Sequence, residues 1–182
     1  MSDYAYFDRH TDGLASLHEF CKCASLVDQC PSNWKYSIIS IHNALQAYLC
    51  LCLSGGNGFQ TWNKKGIGKW LDAYRERSPL PSIKLDVFME LYDRGFHESS
   101  SEARANIAWL NNTRNKLIHF NQDSFSIHIQ SAYLCCKEAV LAIQSTPNSA
   151  IDIFFYEEEE RQRFDAKVVE ALRILSTIEK SM

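Results

Sequence analysis

A chain of 182 residues, 46% apolar and 23% charged, has the length and apolar content for one folded domain, which excludes a disordered chain. A net charge of −3 and a pI near 6.1 exclude an overall basic field, so any contact with RNA or DNA must come from a local patch. Only 7 glycines and 4 prolines argue against the many turns of an all-β fold.

Residues 1–11 read as an irregular lead-in, and MSDYAYFDRH has no basic region followed by an apolar run, so no secretory signal is expected. Asp12 is placed to cap a first helix that runs to about residue 29, with Leu14, Leu17, Cys21 and Ala24 on its apolar face. Pro31 stops it, and Ser32 or Asn33 caps a second helix over 34–53. That helix is apolar on most sides, which makes it central in a bundle. Its longest apolar stretch, 38–53, is interrupted by Ser40, His42, Asn43 and Gln46 and is too short and polar for a membrane span.

The cluster SGGNG at 54–58 is a break without the lysine of a phosphate loop. Residues 66–77 form a short helix with Trp70, Leu71 and Tyr74 on one side. Pro79 and Pro81 separate it from a helix over 82–93, with Leu85, Phe88, Met89 and Tyr92 as its stripe and Gly95 as its end. Ser99 and Glu102 have the spacing of a capping box for the next helix, which carries Ala103, Ile107, Leu110, Leu117 and Ile118 to about Phe120. A polar turn at 121–124 leads to a helix over 125–144, followed by Pro147. The segment IDIFFY at 151–156 reads as a short strand or an apolar arm. A last helix opens at Glu157–Glu160, whose carboxylates suit a helix N-terminus, and buries Phe164, Val168, Ala171, Leu172, Leu175 and Ile178. The whole reads as a single all-α domain over 1–182, with a core over about 12–146 and a C-terminal arm and helix over about 151–181.

The 7 cysteines are an odd number, which points to reduced thiols and a cytoplasmic setting rather than a disulfide framework. Cys21 and Cys23, like Cys50 and Cys52, point to nearly opposite sides of a helix, and no CxxC occurs. They read as small apolar core residues, so neither a metal site nor a cofactor is expected.

The segment that carries chemistry is NNTRNKLIHF. Arg114 and His119 stand five apart, which on an ideal helix splays them by about 140°. They can act together if the helix end deviates at His119, or if a second copy faces the first across a two-fold axis. Arg114, the polar Asn115 directly after it, three variable residues and then His119 near a helix end form a pattern that resembles the signature of the HEPN family, and Phe120 after the histidine also suits it. The resemblance implies an up-and-down helical bundle, here with an additional C-terminal helix, that pairs as a homodimer with both motifs in one cleft. It also implies a metal-independent endoribonuclease acting on RNA. His119 would be the general acid or base, Arg114 the cation on the scissile phosphate, and Asn115 a hydrogen-bonding group that positions them. Small stand-alone members of that family frequently sit in toxin–antitoxin or defence pairs, which implies an antitoxin or a nucleotidyltransferase as partner. The rival is a non-catalytic HEPN domain that serves as a nucleic-acid, nucleotide or protein-assembly module.

Two weaker candidates for substrate contact remain. His42, with Asn43 and Gln46 on the central helix, either reaches the cleft or is satisfied inside the bundle. Lys64, Lys65 and Lys69, with Arg75, Arg77 and Lys84 nearby and Trp62, Trp70 and Tyr74 interleaved, make a patch able to guide a phosphate backbone and stack bases. The preferred reading of that stretch is a solvated helix face with its aromatics in the core.

Overall fold

The computed structural model describes residues 8–55, 58–120, 123–152 and 154–182, and among them the chain is an all-α helical bundle. The helices are α1 (Arg9–Ala24), α2 (Asn33–Cys52), α3 (Lys64–Arg75), α4 (Phe88–Gly95), α5 (Ser101–Ile118), α6 (Ile129–Ser149) and α7 (Glu158–Ser181). A single 3-10 turn, Phe59–Thr61, precedes α3. No helix among the described residues is long and apolar enough to cross a membrane.

α2 is the central element, packed against α1, α4, α5 and α6, while α7 closes the bundle over α1 and α6. Its sequence explains this, since Ile38, Ile41, Leu45, Tyr48, Leu49 and Cys52 are all buried. Leu17 and Phe20 of α1, Ile107 and Leu110 of α5, Tyr133 and Ile143 of α6 and Leu175 of α7 complete the core. Each fully buried aliphatic or aromatic side chain contributes about 1.5–3 kcal/mol. α1 lies close on α2 because Gly13 meets the Tyr48 ring, where an added Cβ would come within 3.0 Å of the ring. Six of the seven cysteines, all but Cys30, are buried as free thiols.

Several boundaries differ from the sequence reading, each for a local reason. α1 starts at Arg9, capped by Asp8 rather than Asp12: Thr11 N–H donates to Asp8 Oδ1 at 2.8 Å and Thr11 Oγ1 accepts from Asp8 N–H at 2.9 Å. It ends at Ala24, and residues 25–29 continue as turns. Ser32 holds the N-cap position of α2 without a side-chain cap bond. Ser100, not Ser99, caps α5, accepting from Ala103 N–H at 3.1 Å. α4 begins only at Phe88, because residues 84–86 pair with the start of the α3 segment: Asn63 N–H donates to the Lys84 carbonyl and Asp86 N–H to the Thr61 carbonyl, both at 3.0 Å.

α6 begins at Ile129, where His128 Nδ1 accepts from Ser131 N–H, and it continues past Pro147 to Ser149. Pro147 has no N–H for the Ile143 carbonyl, and Thr146 Oγ1 donates to that carbonyl instead, at 2.7 Å. The described residues of 151–156 form an apolar arm, not a strand: Phe154 is buried and its ring lies 6.1 Å from Tyr48 and 6.2 Å from Phe164. Residues 1–7, Gly56, Asn57, Asn121, Gln122 and Ile153, on which parts of the lead-in, the glycine break, the polar turn and the arm were read, lie outside the described residues.

α3 departs most. The aromatics of this stretch were expected in the core, yet α3 has no buried residue. Its stripe packs within its own segment. Phe59 and Trp62 ring centroids lie 4.7 Å apart, Trp62 and Trp70 5.8 Å, and Trp70 and Tyr74 5.4 Å in a nearly parallel stack. The foot of this wing is fixed to α4: Arg94 pairs with Asp86, donates to the Gln60 carbonyl at 2.8 Å, and Asn63 Nδ2 donates to Asp86 Oδ1 at 3.2 Å.

Candidate active site

The motif helix α5 lies against α2, and the two bring together the polar residues that each carries. His42 Nε2 and Asn111 Oδ1 are 3.0 Å apart. With that oxygen as acceptor, Nε2 carries the proton and Nδ1 presents a bare lone pair, buried and without a partner among the described residues. The imidazole is 1% exposed and lies over the Phe88 ring, with centroids 4.2 Å apart. Burial pushes its pKa down to about 4, the Asn111 contact opposes the fall, and the charge of Arg114 adds to it. His42 is therefore a neutral imidazole at physiological pH.

Arg114 follows Asn111 by three residues, so one face of α5 carries both, and Asn115 adjoins them. Arg114 Nη1 donates to Asn115 Oδ1 at 3.1 Å, and its buried Nε–H has no acceptor among the described residues. Nor does Arg114 form an ion pair there, although Arg75, Arg94, Arg104, Arg161 and Arg163 each hold a carboxylate. The guanidinium lines a cleft of about 480 Å³ shared with Asn43 and Gln46 of α2 and with Asp8, Arg9 and Asp12 near the start of α1. Asp8 is spent on its cap, and the Thr11 N–H holds its carboxyl below the usual range. The cleft thus offers two cations, the half-buried Arg114 and the exposed Arg9, together with amide groups and two carboxylates at the rim.

His119 sits apart from this cluster. It is the exposed C-cap of α5, with φ −96° and ψ 45°, and its N–H still bonds the Asn115 carbonyl at 3.0 Å. That bond holds its backbone against the last turn of α5, while its own φ and ψ leave the helical range, and His119 is not among the residues that line the Arg114 cleft. Beside the same helix end, Leu117 and Phe120 line a second, apolar groove of about 490 Å³ with Trp34, Phe125 and Ile127.

Of the site residues read from sequence, the structure gathers His42, Arg114 and Asn115. It leaves His119 at the helix end, and Lys64, Lys65 and Lys69 exposed on α3. Asn111, which joins His42 to the motif, was missed; its only signal was its place one turn before Arg114. Among the described residues no group of three or more His, Cys, Asp or Glu side chains is placed to hold a metal ion. Comparison with family models, with curated proteins and with solved structures returns no match to this chain.

Proposed function

We propose that this protein is a HEPN-type, metal-independent endoribonuclease that acts as a homodimer. The observation that carries the reading is Arg114: a half-buried guanidinium in a cleft wall, oriented by Asn115, with no carboxylate partner and no acceptor for its buried N–H among the described residues. Such a group is suited to a phosphate oxygen, which its fork binds in two places. The neutral His42 beside it adds no competing charge.

The chemistry follows from the motif. One His119 takes the proton of a ribose 2′-OH, whose oxygen attacks the adjacent phosphorus. Arg114 stabilises the charge that grows on the phosphate oxygens. The 5′-oxygen leaves with a proton from a second imidazole, giving a 2′,3′-cyclic phosphate and a 5′-OH end. Because Arg114 lines the cleft and His119 of the same α5 does not, a second copy is the simplest source of the missing groups around one phosphodiester. The setting in a toxin–antitoxin or defence pair, with an antitoxin or a nucleotidyltransferase as partner, belongs to the same proposal.

The test is purified protein on total cellular RNA with EDTA present, beside His119→Ala and Arg114→Ala. Wild type should cut and leave cyclic phosphate ends. His119→Ala should lose on the order of a hundredfold or more in rate. Arg114→Ala should lose a comparable factor, and Arg114→Lys should restore only part of it, since an ammonium lacks the fork. Cleavage that appears only with added divalent metal overturns the mechanism. Intact RNA that is nevertheless bound replaces it with the binding-module reading.

A further inference from the structure

The wing at residues 59–77 packs its aromatic rings within its own segment rather than in the bundle core. α3 has no buried residue, although Ile67, Trp70, Leu71 and Tyr74 recur at the spacing of a core-facing stripe. The stripe is consumed by the wing itself. Trp70 meets Phe59 at 5.7 Å and Trp62 at 5.8 Å between centroids, and its other neighbour is Tyr74, stacked at 5.4 Å with 6° between planes. Tyr74 is the last ring of the column and is 64% exposed, so one of its faces is open. The foot of the column is tied down by Arg94, which pairs with Asp86 and donates to the Gln60 carbonyl, and by Asn63, which donates to Asp86.

The charge around that open ring is positive. Residues 59–77 carry Lys64, Lys65, Lys69, Arg75 and Arg77 against Asp72 and Glu76, and Arg75 shares its charge with Asp72 at 3.3 Å, so the stretch keeps a positive excess in a chain whose net charge is −3. At about 100° per residue, Lys64 and Arg75 fall about 80–100° from Tyr74 on one side of the helix, while Lys65 and Lys69 fall behind it. Arg77 adds a further cation just past the helix end. It holds φ +53°, where a glycine would be unstrained, so a charged side chain is kept there at a cost in stability.

We propose that residues 59–77 form a platform for single-stranded nucleic acid, with one base stacked on the open face of Tyr74, the adjoining phosphates met by Arg75 and Arg77, and a phosphate farther along the strand met by Lys64, about 15 Å up the helix axis. An exposed ring at the end of a stack accepts any base, because every base has a π-face, and flanking cations supply the attraction to the backbone. A membrane surface fits less well. The indoles of Trp62 and Trp70 are engaged with each other, and Tyr74 is the one large apolar side chain of α3 that is exposed, which is little surface to bury in a bilayer. The choice of RNA as the strand rests on the ribonuclease reading; the platform itself does not.

The experiment uses the full chain carrying His119→Ala, so that RNA survives, and a fluorescent single strand of about a dozen nucleotides read by anisotropy. Tyr74→Ala should weaken binding about tenfold, and Tyr74→Phe, which keeps the ring, should leave it unchanged. Lys64→Gln with Arg75→Gln should lower the slope of log affinity against log salt by about 1.4. Tyr74 is exposed, so these variants should keep the wild-type circular dichroism. Equal binding by Tyr74→Ala, equal affinity for a duplex of the same length, or capture by phosphatidylserine vesicles with no binding to RNA overturns the proposal. Tyr74-dependent binding with no cleavage by wild type leaves the platform standing and removes the nuclease. Cleavage with Tyr74-independent binding removes the platform alone.

Discussion

Replacing His42 with glutamine should abolish a specific acid sensitivity of the fold. In the folded chain the imidazole pKa is pushed down from 6.5 to about 4, first by burial, against the Asn111 contact, and further by Arg114. Unfolded, it titrates near its ordinary value, so below that value the unfolded chain takes up a proton that the folded chain refuses. Stability from this group is therefore complete above about pH 6.5 and drains away as pH falls toward 4. At about 1.4 kcal/mol per pH unit the full loss is about 3 kcal/mol, and at pH 5 about 2 kcal/mol is already gone. Glutamine keeps an N–H donor for Asn111 and does not titrate. Urea unfolding at pH 7.5 and pH 5 measures the fall for each protein, and the groups they share cancel in the comparison. Wild type should fall by about 2 kcal/mol more than His42→Gln. Equal falls within about 0.5 kcal/mol would show that the imidazole is hydrated or protonated in the folded chain, and the argument for a neutral His42 would fail.

Two further substitutions probe the backbone. Arg77 sits in the left-handed region after α3, where Ser78 N–H bonds the Ala73 carbonyl at 2.9 Å, so Arg77→Gly should raise the urea midpoint by the equivalent of about 1 kcal/mol. Thr146→Val should cost about 1 kcal/mol by stripping the Ile143 carbonyl of its donor, and the cost should shrink in a Pro147→Ala background, where the backbone N–H returns; equal costs in both backgrounds would refute the substitution of hydroxyl for amide.

Periodicity located the helices because each packs one apolar stripe, and α2 read as central because its sequence is apolar nearly all round. The same signal misplaced α3. A stripe of Ile67, Trp70, Leu71 and Tyr74 looks identical whether it packs on a core or on Phe59 and Trp62 a few residues away. Pro147 was read as lying beyond α6, a reasonable inference from the missing N–H, because the rescue by the preceding threonine is a matter of one rotamer. The late start of α4 depends on pairing with residues 61–63, which no local pattern announces. At the site, the spacing of Arg114, Asn115 and His119 was legible in a single line of sequence. The contact of His42 with Asn111 was not, since it joins residues 69 positions apart and depends on how α2 and α5 cross.

The burial of the cysteines has a practical consequence. Packing pushes the thiols of Cys21 and Cys135 up to about 12 and that of Cys52 up to about 11, and raises Cys23, Cys50 and Cys136 as well, so near neutral pH these six stay protonated and shielded. Cys30, exposed in the turn before α2 with its sulfur 3.0 Å from Ser32 Oγ, is the one thiol a maleimide can reach. The native chain therefore carries a single dye address without any engineering. A labelled particle should bleach in as many steps as it has copies, which turns the count of protomers into an optical measurement.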